Sequence, residues 1–265
     1  MNRWGNAQAR GFGLIELLIA LALGLVLVLG VVQVFVGSKQ TFVLQRTAAG
    51  FNEDARYLAS RLSRELRMVG MFGCLDLNRL PAGIRNALPA ELAAPVGYTT
   101  TTGVSILSLI SAVPNHERFT APGTRRPADY RARWLIATNC RDTHDLRISD
   151  GAPIAVRPGD VVIPLRQLEY RFRRHGIQLR SNGAGHFQSL IDNVAQLEVS
   201  FGLAATATGR EVSGSYVSAL AAGDGPRIRS VKLRWQLSDT PSAPSAGKVR
   251  VHEFQQAVAL RNRIN

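Results

Sequence analysis

The hydrophobic and polar positions divide the chain into two regimes. Between Glu16 and Lys39 lie 22 uncharged residues, Leu17 to Ser38. As a helix they are apolar on nearly every side and about 33 Å long at 1.5 Å per residue, enough to cross a bilayer core. Further on, FNEDARYLASRLSRELRMVGMFG sets Phe51, Ala55, Leu58, Leu62, Leu66 and Val69 at steps of three or four. Glu53, Asp54, Arg56, Arg61, Arg64, Glu65 and Arg67 are left for the wet side. No proline falls between Phe12 and Met71, so the pattern predicts one unusually long helix, stopped by Gly70 and Gly73 and softened at Gly37 and Gly50.

Beyond Cys74 the period changes to short apolar runs separated by Pro, Gly, Asn and Asp. VSILSLI (104–110), RWLIATN (133–139), DVVIPL (160–165), LEYRFRR (168–174), AQLEVSFGL (195–203), SVKLRWQL (230–237) and KVRVHEF (248–254) all read as strands. The HG pair at His175–Gly176 reads as a hairpin turn before IQLRS, and SDTPSAPSAGK as the loop between the last two long strands. Two further segments, 113–130 and 204–226, read as surface excursions. The expected fold is α+β, with a long N-terminal helix whose first half is transmembrane and whose second half packs on a β-rich antiparallel domain.

Alternation gives two of these strands a cationic face. In LEYRFRR, Leu168, Tyr170 and Phe172 oppose Arg171 and Arg173; in SVKLRWQL, Val231, Leu233 and Trp235 oppose Lys232 and Arg234. Were the two strands neighbours, the four cations would form a face for an anionic partner such as nucleic acid. The whole chain carries 32 basic and 19 acidic residues, a net charge of +13 with only three lysines, which favours acidic partners or surfaces without naming one.

The two cysteines, Cys74 and Cys140, suit one disulfide in an oxidising compartment, or two buried thiols. Bridged, they would close a loop of roughly 65 residues and add about 4 kcal/mol by restricting the unfolded chain. Enzyme chemistry is not signalled: there is no P-loop, strand-linked GxGxxG, HExxH or GxSxG. Cys140 and His144 lack further ligands, and Asp142, Asp145, Asp150 and Asp160 lack the alternate spacing of a calcium loop. They read as loop solvation, so neither a metal nor a cofactor is expected.

The N-terminus carries the most specific signal. A short basic leader with Arg3 and Arg10 ends in Gly11, followed by Phe12 and GLIELLIAL, with Glu16 fifth after the glycine. This resembles the class III signal of type IV pilins and type II secretion pseudopilins, in which the processing site precedes the apolar run instead of following it. The resemblance implies that a prepilin peptidase cuts between Gly11 and Phe12, removing two leader charges, and that the new Phe12 amine is N-methylated. It also implies that Glu16 meets the Phe12 amine of a neighbouring subunit, offsetting the burial of an acid that would otherwise cost roughly 3 kcal/mol in hydrocarbon.

RELRMVGMFGC, LIDNVAQLEVSFGL and FQQAVALRNR resemble the PilW-type minor pilins, relatives of the J-type minor pseudopilins. The family fold is pilin-like, with Cys74 after the helix as a disulfide candidate. The expected organisation is a leader (1–11), a transmembrane and assembly half-helix (12–37), an amphipathic half-helix (38–73) and a β-rich domain (74–265). The basic leader favours an N-in, C-out orientation, although Lys39 and Arg46 weaken the asymmetry. The implied protein is single-pass in a bacterial inner membrane, its domain periplasmic. It then joins other minor pilins and the major pilin in a priming complex near the filament tip, presenting a large adhesin. Ala20, Ala22, Gly24 and Gly30 are the small residues available for helix packing. The alternatives are a J-type pseudopilin of type II secretion, a competence pilin using the arginine strands to hold DNA, and an anchored periplasmic enzyme.

Overall fold

A computed structural model describes residues 13–77, 80–113, 122–239 and 251–261. The chain divides into two compact units, 1–52 and 53–265, and one helix begins in the first and ends in the second. This helix, α1 (Leu14–Met68), has 55 residues, about 80 Å at 1.5 Å per residue. It runs unbroken through Gly37 and Gly50. The Thr41 and Thr47 hydroxyls each donate to the carbonyl one turn back, of Gly37 and Val43, at 3.0 Å. From Leu17 to Ser38 the sequence is apolar on nearly every side, and the most hydropathic window, with mean hydropathy 2.9, buries nothing within the chain.

In the second unit α1 becomes amphipathic. Ala55, Leu58, Leu62, Leu66 and Val69 of the expected stripe are buried. The helix ends where Gly70 takes a φ of 70°, and the Gly70 N–H donates to Ile110 O at 3.0 Å. Gly73, at φ 64°, lies so close to Ile163 that an added Cβ would come within 3.1 Å of it.

The larger sheet has seven antiparallel strands in the order β1 (Val96–Thr101), β2 (Val104–Ala112), β7 (Val161–Arg173), β4 (Trp134–Thr138), β5 (Leu146–Ser149). β7 is long enough to hold two neighbours on one edge, β4 along Val161–Leu165 and β8 (Gly176–Ser181) along Leu168–Arg173; β9 (Gln188–Ile191) then pairs β8. A second sheet runs β10 (Val194–Leu203), β11 (Ile228–Ser238), β12 (Val251–Ala259), and β3 (Gly123–Arg125) pairs β6 (Ile154–Val156) separately. Two short helices, α2 (Ala82–Ala87) and α3 (Ala90–Ala93), precede β1.

Alternation decides which faces are covered. Leu62 of α1 shares a small enclosed cavity with Tyr98, Leu107, Tyr170 and Ile177 of the large sheet and Leu197, Val199 and Leu233 of the small one. Helix and large sheet are also linked by Arg61 Nε to Tyr170 Oη at 3.2 Å and by an Arg166–Glu65 ion pair at 2.7 Å. At the β4 end both faces of the large sheet are covered. Trp134, Ile136, Ile163 and Leu165 pack with Phe72 and Leu92, while Leu135, Ala137 and Val162 pack with Ile154 and Val156 of β6. This explains why the centre of RWLIATN, Trp134 to Ala137, is apolar without a break.

Three expectations are corrected. DVVIPL and LEYRFRR form one strand, because Pro164 sits one residue past the last rung of the β2–β7 ladder, Ala112–Leu165, and its carbonyl accepts from Val113 N–H at 2.8 Å. The hairpin turn is Arg174–His175, with φ 49° and 61°, and not His175–Gly176. Gly176 instead begins β8, where a Cβ would lie 3.2 Å from Asp192 Oδ1. The last strand, seen over Val251–Ala259, continues past the end of KVRVHEF, whose first three residues, 248–250, lie outside the described residues.

Candidate functional site: the N-terminal helix and the cationic sheet faces

Gly11 and Phe12 lie outside the described residues. Glu16 stands in the first turn of α1, with Gly13 as the residue that caps it. Gly13 O accepts from the N–H groups of Glu16 at 3.0 Å and Leu17 at 3.3 Å. In return the Gly13 N–H donates to Glu16 Oε2 at 3.1 Å, as the acid of a capping box does. The position also places a negative charge at the positive end of the helix dipole. Glu16 therefore has a partner within its own chain, which sequence reasoning did not anticipate. C-terminal to it, side chains such as Leu23, Val34 and Phe35 are exposed, at 65–73% for these three. This is the one helix among the described residues long and apolar enough to cross a membrane.

Cys74 and Cys140 are joined in a disulfide, with Cα atoms 5.9 Å apart. The bridge fastens the segment after α1, where Phe72 and Leu75 pack on the β4 cluster, to the residue two positions beyond β4. Cys140 takes a φ of 58°, and its N–H donates to Thr138 Oγ1 at 3.2 Å. Two of the four carboxylates read as loop solvation, Asp145 and Asp160, are engaged by arginine. Asp160 is buried and pairs with Arg147 at 2.8 Å, and Asp145 meets Arg147 at 3.3 Å and Arg157 at 3.4 Å. Asp142 accepts from the His144 N–H at 2.8 Å. Among the described residues no group of three or more His, Cys, Asp or Glu is placed to hold a metal.

The expected four-residue cationic face does not form, because Arg171 and Arg173 belong to the seven-stranded sheet and Lys232 and Arg234 to the three-stranded one. Of the second pair, Arg234 is answered by carboxylates. Arg234 makes a two-point contact with Glu253 across the β11–β12 pair, at 2.7 and 3.0 Å, and lies 3.5 Å from Glu198 of β10. These contacts hold the Arg234 guanidinium above its ordinary pKa, the Glu253 bond foremost. Lys232 has its ammonium 5.8 Å from the Tyr216 ring.

The first pair has different company. Arg171 donates through Nε and Nη2 to Gln178 Oε1, at 2.9 and 2.6 Å, and its guanidinium lies 3.8 Å from the centre of the Phe187 ring. Arg180 lies 4.4 Å from the same ring and pairs with Glu169 at 2.7 Å. Burial, then the positive charges of Arg173 and Arg180, push the Arg171 pKa down. Gln178, Arg180 and Phe187 were missed in the sequence. The signal was available for two of them, since a two-residue hairpin sets Arg171 opposite Gln178 and Glu169 opposite Arg180.

A model of the prokaryotic N-terminal methylation motif matches residues 6–32, the stretch that holds Gly11, Phe12 and Glu16. Among solved structures the chain is similar to a type IV-like pilin from Thermus thermophilus, at 10% identity and a TM-score of 0.43, over 81% of this chain and 97% of that one. No curated relative matches the chain.

Proposed function

We propose that this protein is a minor pilin of the PilW kind, a non-enzymatic subunit of a type IV pilus. The apolar half of α1 anchors it in the bacterial inner membrane, with the β-rich domain on the periplasmic side. A prepilin peptidase removes residues 1–11, Phe12 becomes the methylated N-terminus, and the subunit joins other minor pilins and the major pilin in a complex that primes assembly and stays near the tip, where it presents an adhesin. The observation that carries this reading is a coincidence of position. The methylation motif at 6–32 overlaps the start of an exposed apolar helix, and the one acid of that stretch falls in the helix's first turn. Nothing in soluble packing calls for that arrangement, whereas helix-to-helix assembly out of a membrane does.

The test is mass spectrometry of filaments sheared from the native host, together with two variants of Glu16. The expected result is the chain at low ratio to the main subunit, with an N-terminal peptide beginning at methylated Phe12. A mature protein still carrying residues 1–11 overturns the processing. E16Q keeps an oxygen for the Gly13 N–H but loses the charge, and E16A loses both. Loss of incorporation with E16Q supports charge pairing between subunits; normal incorporation of E16Q refutes it.

A further inference from the structure

We infer that the open face of β7 and β8 is a binding site for the phosphate backbone of a nucleic acid, built from Arg171, Arg173 and Arg174 and stiffened by Phe187 and Arg180. β7 turns Tyr170 towards α1 and its odd-numbered residues away from it. Arg171 and Arg173 are thus two residues apart on the outward face, about 6.8 Å along the strand. Arg174 continues the row into the hairpin turn, held there by a φ of 49°. None of these three forms an ion pair with a described carboxylate, whereas Arg180, Arg234, Arg147 and Arg166 all do. Two acids adjoin the row: Glu169 is taken by Arg180 in a two-point contact at 2.7 and 3.0 Å, and Asp192, whose Oδ1 lies beside Gly176, accepts from Ser189 Oγ at 3.0 Å and pairs with none of the three arginines.

The row is also ordered at its inner end. Gln178 accepts two hydrogen bonds from Arg171 without supplying charge, and the Phe187 ring lies against the same guanidinium. Ordering a long cation while leaving its charge uncompensated is unfavourable in the free protein, and a partner anion relieves it. Guanidinium forks match phosphate oxygens two at a time, and a strand presents them at a fixed repeat, which suits a linear polymer carrying one charge per unit. The Phe187 ring lies against the guanidinia of Arg171 and Arg180, so it orders the cations, and the groups that meet the polymer are charges. Recognition is then of the backbone and independent of sequence. The site excludes Lys232 and Arg234, whose sheet is separate and whose arginine is answered by Glu253 and Glu198. The inference does not depend on the filament reading.

The experiment measures binding of a fluorescent 20-base-pair DNA duplex to the full chain in zwitterionic micelles, by polarisation across a salt series. Three phosphate contacts give a log–log salt slope of about −2.7. R171Q/R173Q/R174Q should weaken binding at low salt at least tenfold and flatten the slope by 2 to 3 units, and the corresponding lysine variant should retain most of the affinity. R173Q/R174Q alters only turn and rim side chains and leaves the Arg171–Gln178 contact in place, so its partial loss of binding separates lost contacts from misfolding. K232Q/R234Q, which removes two charges elsewhere, should change affinity less than twofold. Equal losses from K232Q/R234Q and R173Q/R174Q overturn the site, since binding would then follow net charge alone. Absence of duplex binding overturns it, as does displacement of the duplex by polyglutamate of equal charge, which would mark an acidic protein surface as the better ligand.

Discussion

Removing the Cys74–Cys140 bridge should lower the melting temperature of the β-rich unit by about 10 °C without changing its fold. The two cysteines are 66 positions apart, and a loop of that length restricts the unfolded chain by about 4 kcal/mol in the chain-entropy model. The native ends need no bridge to stay together, because Phe72 and Leu75 on one side and Trp134 and Ile136 on the other belong to one packed cluster. Reduction should therefore act on the unfolded state. A unit of residues 53–265 has an unfolding entropy of roughly 0.45 kcal/mol/K at the usual value per residue, which converts 4 kcal/mol to a shift of about 9–10 °C. Trp134 and Trp235 are both buried, one in each main sheet, so in a W4F background, which removes the third tryptophan, fluorescence follows this unit while the apolar part of α1 stays silent. The assay is a melt of the full chain in micelles with and without reductant, and of C74S/C140S. A shift below 2 °C refutes the reasoning, as does a reductant effect that persists in the serine variant.

Two further outcomes follow from the same structure. Burial first, then Glu53 and Asp192, raise the pKa of Asp54 above its ordinary 3.8. A carboxyl with a raised folded-state pKa supports the fold below its unfolded pKa and withdraws that support as pH climbs through the folded value. D54N should therefore melt higher than the parent at pH 7, with the gap closing below about pH 3.8, and a gap that widens in acid would refute the assignment. Arg229 is buried and donates to four carbonyls, of Gly209 at 2.5 Å, Ala207 at 2.6 Å, Pro226 at 2.7 Å and Ile228 at 3.0 Å. R229M leaves these acceptors unmet and should lose roughly 3 kcal/mol, with protease cleavage appearing first within 204–227; unchanged cleavage there would show that the excursion holds itself.

The parts of the fold legible in the sequence are those where local pattern and tertiary need agree. The stripe from Ala55 to Val69 has helical period, strong helix formers and no proline, and it is buried as the period requires. SVKLRWQL alternates cleanly because β11 is the central strand of its sheet, with Val231, Leu233 and Trp235 inward. VGYTTT was missed as β1 because an edge strand facing solvent carries threonines, with only Val96 fully buried. The end of β12 was set short, at Phe254, because Gln255 and Gln256 disguise its second half. The same distinction governs the sites. Glu16 stood out because its meaning lies in its distance from Gly11 and Phe12, a local relation. The arginines were half legible: alternation assigns them to faces, but which strand lies beside which is set by pairing across the whole domain, and β11 turned out to belong to another sheet.

For the apolar half of α1, exchanging lipid for neighbouring helices changes little in hydrophobic free energy, since lipid tails are as apolar as leucine. Residues such as Leu17, Leu25 and Val32 can therefore hold a subunit in either environment without favouring one alignment over another. Alignment must come from close packing and from the polar groups, of which Glu16 carries the only charge between Gly13 and Ser38. A carboxylate beside an ammonium is tolerated where a lone one is not, and removing one member of a buried pair costs about 3–5 kcal/mol. On the proposed reading, a neighbour shifted by one turn would leave both charges unmatched, so the acid discriminates between registers even if it adds little net attraction. Its bond to Gly13 does not compete with that role. A carboxylate has two oxygens and about four acceptor sites, and the Gly13 N–H occupies one site on Oε2. Tied back in this way, the side chain loses part of its freedom before a second subunit arrives, which lowers the entropy cost of meeting the amine.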